Sequence, residues 1–183
     1  MDTYVVLLRG INVGGNNRVP MAELRACLSD LGYEDVRTYI ASGNVVLRAA
    51  ESASAVTDQI EAALRERFQL SAAAGRVLVV SAERYRKLIA SAPAGFGSQP
   101  DTYHSDVIFL LDITAADAAK VFHPRDGVDE LHTARGVLFH QRLSAERTRS
   151  RMSAIVGTPA YRSMTVRNWN TATRLLAMID GTA

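Results

Sequence analysis

The chain of 183 residues has one cysteine, Cys27, so an intramolecular disulfide and a four-cysteine zinc site are both excluded. Long hydrophobic runs are missing as well. The opening MDTYVVLLRG has no basic region and only a short apolar stretch, which reads as neither a signal peptide nor a membrane span. The expectation is a cytoplasmic protein with no membrane partner. An excess of charge of one sign is absent: the net charge is +2, too small to argue for any partner. The four histidines, His104, His123, His132 and His140, form no H-x-x-x-H pair. In the simplest hairpin register His132 and His140 point to opposite faces, so no metal is expected between them. Nor is there a Gly-x-Ser-x-Gly nucleophile elbow.

What is present is an ordinary globular composition, 48% hydrophobic and 22% charged, able to bury a core that offsets chain entropy without staples. The charge is unevenly spread. Residues 1–132 hold 13 basic and 17 acidic side chains, whereas residues 133–183 hold 8 arginines against Glu146 and Asp180. Such asymmetry can mark an anion-binding surface. Against that, 19 of the 21 basic residues are arginine, which points to compositional bias, and no aromatics are interleaved as a single-strand platform requires.

Tyr4–Leu8 reads as a strand. Pro20 suits a first helical position, and Met21, Leu24, Cys27, Leu28 and Leu31 form one helical stripe that Gly32 ends. Val36–Ile40 and Val45–Leu47 read as strands around a turn at Ser42-Gly43. Ser52 or Ser54 caps a helix along Val56, Ile60, Leu64 and Phe68. Val77–Val80 is a strand, and Ser81 opens a short helix to Ile89. The Pro/Gly-rich stretch 92–101 reads as a linker between residues 1–91 and 102–183. Beyond it, Val107–Leu111 is a strand, Thr114 opens a helix ending near Phe122, and Val128–Thr133 and Val137–Gln141 form a hairpin. Ser144 caps a helix containing Met152, Ile155 and Val156. Met164–Val166 is a last strand, and Asn168 or Asn170 caps a final helix. The fold class expected is α+β: two ferredoxin-like β-α-β-β-α-β halves with an additional C-terminal helix.

That topology brings the loop after the first strand, RGINVGGNN, to the same sheet edge as the Ser42–Asn44 turn. Gly14 and Gly15 can take left-handed backbone and expose N–H groups. Asn12, Asn16, Asn17 and Asn44 each offer donors and an acceptor, Ser42 a hydroxyl, and Arg9 a charged fork. Together they make a candidate anion or polar-ligand site. Gly and Asn are also what any loop with left-handed backbone uses, so loop chemistry alone accounts for them equally. Gly10 and Gly15 have P-loop spacing, but Asn16-Asn17 stands where Lys and Ser/Thr are required, so nucleotide hydrolysis is rejected. The G-x-G-x-x-G dinucleotide pattern is absent.

LLRGINVGGNN, then MAELRACLSDLGYEDVRTYIASGNVV, and TVRNWNT near the end resemble domain-of-unknown-function family 1697. The similarity is nearly continuous over Val6–Val46, short at Arg167–Thr171, and looser between. It implies a small bacterial cytoplasmic protein of two-part ferredoxin-like character, and it brings no reaction, substrate or cofactor.

In the second segment Trp169 offers a stacking face and Arg167 an anion contact, flanked by Asn168 and Asn170. The alternative is a helix start with an Asn cap and Trp169 as a staple against Leu175. Cys27 lies on an apolar stripe and reads as a buried small hydrophobe. Asp129-Glu130 reads as a solvated acidic pair. The leading functional expectation is binding of a polar or anionic ligand, nucleotide-like or nucleic acid, at the Gly/Asn-rich edge, with no cofactor. An enzyme acting on a small phosphorylated or polar metabolite, and a structural or protein-interaction module, stay open. A homodimer stays open too.

Overall fold

The computed structural model describes residues 1–182. The first part of the chain runs β1 (Asp2–Leu8), α1 (Met21–Asp30), β2 (Glu34–Tyr39), β3 (Asn44–Ala49), α2 (Ala53–Arg67), β4 (Val77–Ser81) and α3 (Ala82–Ala90). The four strands form one antiparallel sheet in the order β2-β3-β1-β4. The continuous apolar run Tyr4–Leu8 is buried on both faces, which suits β1 to a central place. On the face of Tyr4, Val6 and Leu8, α1 contributes Leu24, Cys27 and Leu28 and α2 contributes Val56, Ile60 and Leu64. The Ser52 hydroxyl caps α2 by accepting from the Ala55 N–H. Pro20 is the cap residue of α1 rather than its first helical residue. Its ψ of 133° is extended, so the helix begins at Met21.

The second part runs β5 (Tyr103–Leu110), α4 (Ala115–Ala119), β6 (Asp129–Ala134), β7 (Val137–Leu143), β8 (Met164–Asn168) and α5 (Trp169–Asp180). Its antiparallel sheet has the order β6-β7-β5-β8, the same arrangement as the first. The α+β class with two four-stranded halves and a C-terminal helix therefore holds. The β6–β7 register sets His132 opposite Phe139 and Leu131 opposite His140, so the two histidines do lie on opposite faces. One expected element is absent. No α-helix follows Ser144; three 3-10 turns stand instead at Ser144–Glu146, Met152–Ile155 and Ala160–Ser163. The stretch has no apolar stripe in its first two turns, and a helix would set Arg147 and Arg151 one turn apart as like charges. The Ser150 hydroxyl also takes the Met152 N–H, a local bond that competes with helix.

The described residues divide into two compact units. One is Met1–Arg86 with the chain from Leu175 onward, and the other is Lys87–Arg174. In the first unit the end of α5 is tied down by Arg37, which donates to the Met178 carbonyl at 3.2 Å, and by an Arg86–Asp180 ion pair at 2.8 Å. Among the described residues no helix is long and apolar enough to cross a membrane.

Candidate functional site

In the first unit the Arg9–Asn17 loop does meet the Ser42–Asn44 turn. The Leu8 N–H donates to the Gly43 carbonyl at 2.8 Å, and the Asn12 amide donates to the Ala41 carbonyl at 2.7 Å. Asn12 also brackets Val19, donating to its carbonyl at 2.9 Å and accepting its N–H at 2.8 Å. Asn17 donates to the Gly10 carbonyl and accepts the Ser71 N–H. Asn44, fully buried, donates to the Tyr39 carbonyl and to the Ser42 hydroxyl. Arg9 donates to the Ala73 carbonyl at 2.8 Å. Three asparagines and the arginine are thus bonded within the protein, Asn12, Asn17 and Arg9 to loop backbone and Asn44 across the β2–β3 turn. Gly14, Gly15 and Asn16 form the exposed tip, closed by the Asn16 N–H on the Val13 carbonyl.

The other set of candidate residues lies in the second unit, where β8 runs directly into α5. Asn168 joins them: its side-chain oxygen accepts the Asn170 N–H at 3.0 Å, and its amide donates to the Ser105 carbonyl at 3.2 Å. Arg167 stands opposite Val107, as Phe139 does, and Trp169 two residues on keeps that face. Its ring meets Phe96 edge-on at 5.2 Å and Phe139 at 6.4 Å. Gly97 lies flat against the indole; with φ of 73° it is left-handed, and a Cβ there would overlap the pyrrole ring. Arg167 is buried and donates to the Thr165 hydroxyl at 2.9 Å and the Val166 carbonyl at 2.8 Å.

A cavity of about 160 Å³ opens at this junction. Gly97 and Pro100 bound it on one side, Tyr103, His104 and Ser105 of β5 on another, and Asn168, Trp169 and Asn170 at the start of α5. The Ser105 hydroxyl is buried and has no hydrogen-bond partner among the described residues, an unusual state for a buried polar atom. His104 leans on the Asp106 carboxylate at 3.1 Å, whose other oxygen takes Arg142 at 3.3 Å. Sequence reasoning missed Gly97, Tyr103, His104 and Ser105 as neighbours of the Trp169 segment. The β5–β8 register, with Asp106 opposite Asn168, places the three β5 residues there, and close packing on the indole places Gly97.

The acidic pair Asp129-Glu130 is not a solvated pair. Glu130 is exposed, but Asp129 is buried. One Asp129 oxygen accepts the N–H groups of Arg151 at 3.0 Å and Arg125 at 3.4 Å. The other lies 3.3 Å from His140 Nε2. Burial alone would raise the Asp129 carboxyl, but the Ser150 hydroxyl and the two N–H groups outweigh it and hold the group below its ordinary value. Burial pushes the His140 imidazole down, against the opposing pull of Asp129 and Asp106. We read the pair as an ionised carboxylate beside a neutral imidazole, anchoring the Ser150–Arg151 segment to the sheet.

By its fold, then, the chain is an α+β protein of two four-stranded antiparallel units. A family model described as protein of unknown function (DUF1697) matches residues 1–139, and the chain belongs to that family. The Val6–Val46 stretch falls inside the matched residues and Arg167–Thr171 outside them. A solved structure, that of a conserved bacterial protein from Streptococcus pneumoniae, is similar at 26% identity with a TM-score of 0.80. The similarity covers 97% of this chain and 98% of that one. No curated protein matches the chain.

Proposed function

We propose that the protein binds a small anionic ligand, a phosphomonoester headgroup, in the cavity at the start of α5. The observation that carries this reading is Ser105, a residue lining the cavity whose buried hydroxyl has no partner among the described residues. Leaving such a group unsatisfied costs about 1–3 kcal/mol, which a bound acceptor oxygen removes. The first turn of α5 points its N–H ends and positive dipole to this place. Asn170 adds an exposed amide, and His104 a ring nitrogen. The volume is below the roughly 300 Å³ usual for a whole small-molecule pocket, so it suits a headgroup with the rest of the ligand outside. The Gly/Asn-rich edge is the weaker candidate, because Asn12, Asn17 and Asn44 already bond within the loop. A bacterial cytoplasmic setting and the ferredoxin-like identity of both units belong to the same reading. The strand order β2-β3-β1-β4 and its repeat in the second sheet support the latter.

The test is thermal unfolding with inorganic phosphate and glycerol phosphate against sodium chloride of equal ionic strength. A ligand at about 100 times its Kd is expected to raise Tm by about 5 °C or more. Ser105→Ala should leave the unliganded protein as stable as before, or more so, because it removes an unpartnered hydroxyl, and should at least halve the shift. A shift no larger than that from chloride, or one that Ser105→Ala leaves intact, overturns the proposal.

A further inference from the structure

The second unit carries a second, larger concavity with different walls. It encloses about 470 Å³ between β7, β8 and the 3-10 segment. Arg142, Arg147 and Ser150 line it, with Met152, Val156 and Val166 as an apolar side. Its volume lies in the range of small-molecule sites, roughly 300–1,000 Å³.

Three features of the lining select a ligand. Arg142 is largely buried, and its Nε has no hydrogen-bond partner among the described residues, while one of its terminal nitrogens is held by Asp106 at 3.3 Å. Arg147 is exposed and makes no ion pair among the described residues, whereas its neighbour Arg149 is taken by Glu146. Val156 is 61% exposed, one of few large hydrophobics in the chain so placed. Arg142 is already balanced by Asp106, and Asp129 behind the Ser150 wall is a second carboxylate, so the positive charge left for a ligand is that of the exposed Arg147. That charge sits beside exposed apolar surface at Val156. A bare inorganic anion would use only the first, and a neutral hydrocarbon only the second.

We propose that this groove binds an organic carboxylate with an apolar arm: the carboxylate on Arg142 and Arg147, the arm along Met152, Val156 and Val166. Guanidinium and carboxylate match as a planar fork, and the arm gains by leaving water. Asp129 is a positioning residue for this site, since it holds the Ser150–Arg151 wall in place through the Arg151 N–H.

Titration calorimetry of the full chain with octanoate tests it. Octanoate is expected to bind, and hexanoate about tenfold more weakly, because two methylenes leave the buried arm. Octylammonium should not bind. Arg147→Glu should weaken octanoate at least tenfold, and because Arg147 is exposed and unpaired the variant should fold normally; Val156→Asp should weaken it too. Octanoate and octylammonium binding alike would reduce the groove to a non-specific apolar surface and overturn the proposal. So would an unchanged affinity in Arg147→Glu, or no heat of binding at 10 mM octanoate by roughly the millimolar affinity scale. Arg147 is not part of the Ser105 cavity, so the phosphate shift should persist in Arg147→Glu, and either proposal can fail without the other.

Discussion

Gly43→Ala is expected to destabilise the protein by about 3 kcal/mol, from a left-handed backbone penalty of about 1–2 and overpacking of about 1–3. Gly43 has a φ of 76° and its carbonyl accepts the Leu8 N–H. An added Cβ would lie 2.7 Å from the Leu8 Cβ and 2.8 Å from the Ile11 Cδ1. The Ile11 methyl can turn aside; the Leu8 Cβ is fixed to a central strand and cannot. Gly14 is the internal control. It too is left-handed, at 58°, but an added Cβ meets nothing within 4 Å, so Gly14→Ala should cost only about 1 kcal/mol. Urea unfolding of both variants measures the difference. Equal losses would mean that close approach at the Arg9–Asn17 and Ser42–Asn44 junction contributes nothing.

Asp129→Ala is the second large effect, expected near 3 kcal/mol because it strips partners from buried donors. The Arg151 and Arg125 N–H groups lose their acceptor, the Ser150 hydroxyl is released, and His140 loses its carboxylate neighbour. The 3-10 segment should loosen, seen as faster amide exchange at Arg151 and Met152. Asp129→Asn keeps an acceptor oxygen and should lose less. The same pair sets a pH dependence. Both groups bind protons less readily folded than unfolded, so the unfolded state takes up more protons on acidification and stability falls. The His140 contribution is full above about pH 6.5 and is lost as pH drops below it; the Asp129 contribution is full above about pH 4 and is lost below that. Asp106 and Arg142 also face His140 and enter its balance. Urea midpoints from pH 8 to pH 3 should therefore decline in two stages, and His140→Leu should remove the first. A flat profile down to pH 5 would contradict a neutral, buried His140.

Much of the fold was legible in the chain. The apolar run Tyr4–Leu8, the stripe of Leu24, Cys27 and Leu28, and the line of Val56, Ile60 and Leu64 state their elements through periodicity alone. Thr114 and Ser52 announced helix starts by the cap chemistry that the structure uses. The segment after Ser144 was misread because three apolar residues at helical spacing suggest a stripe. Whether a stripe has anything to pack on is a long-range matter; here Ile155 is buried and Val156 is not.

The candidate sites divide the same way. Composition marked RGINVGGNN and RNWNT as unusual, and element order correctly predicted that the first would meet Ser42–Asn44. Whether an asparagine amide turns inward to a carbonyl or outward to a ligand depends on distances of a few tenths of an ångström, which no pattern encodes. Asn12, with three bonds to loop backbone, and Ser105, with none to its hydroxyl, are ordinary residues in the sequence. The sequence by itself determined the α+β class, the order of the strands and the absence of a disulfide, because these follow from local periodicity and residue counts. The tertiary structure alone decided that Asp129 is buried, that Ser105 lies beside Trp169, and that Arg142 and Arg147 share a groove. Strand register and burial join residues far apart along the chain, and they set the dielectric and the hydrogen-bond partners that give each side chain its chemistry.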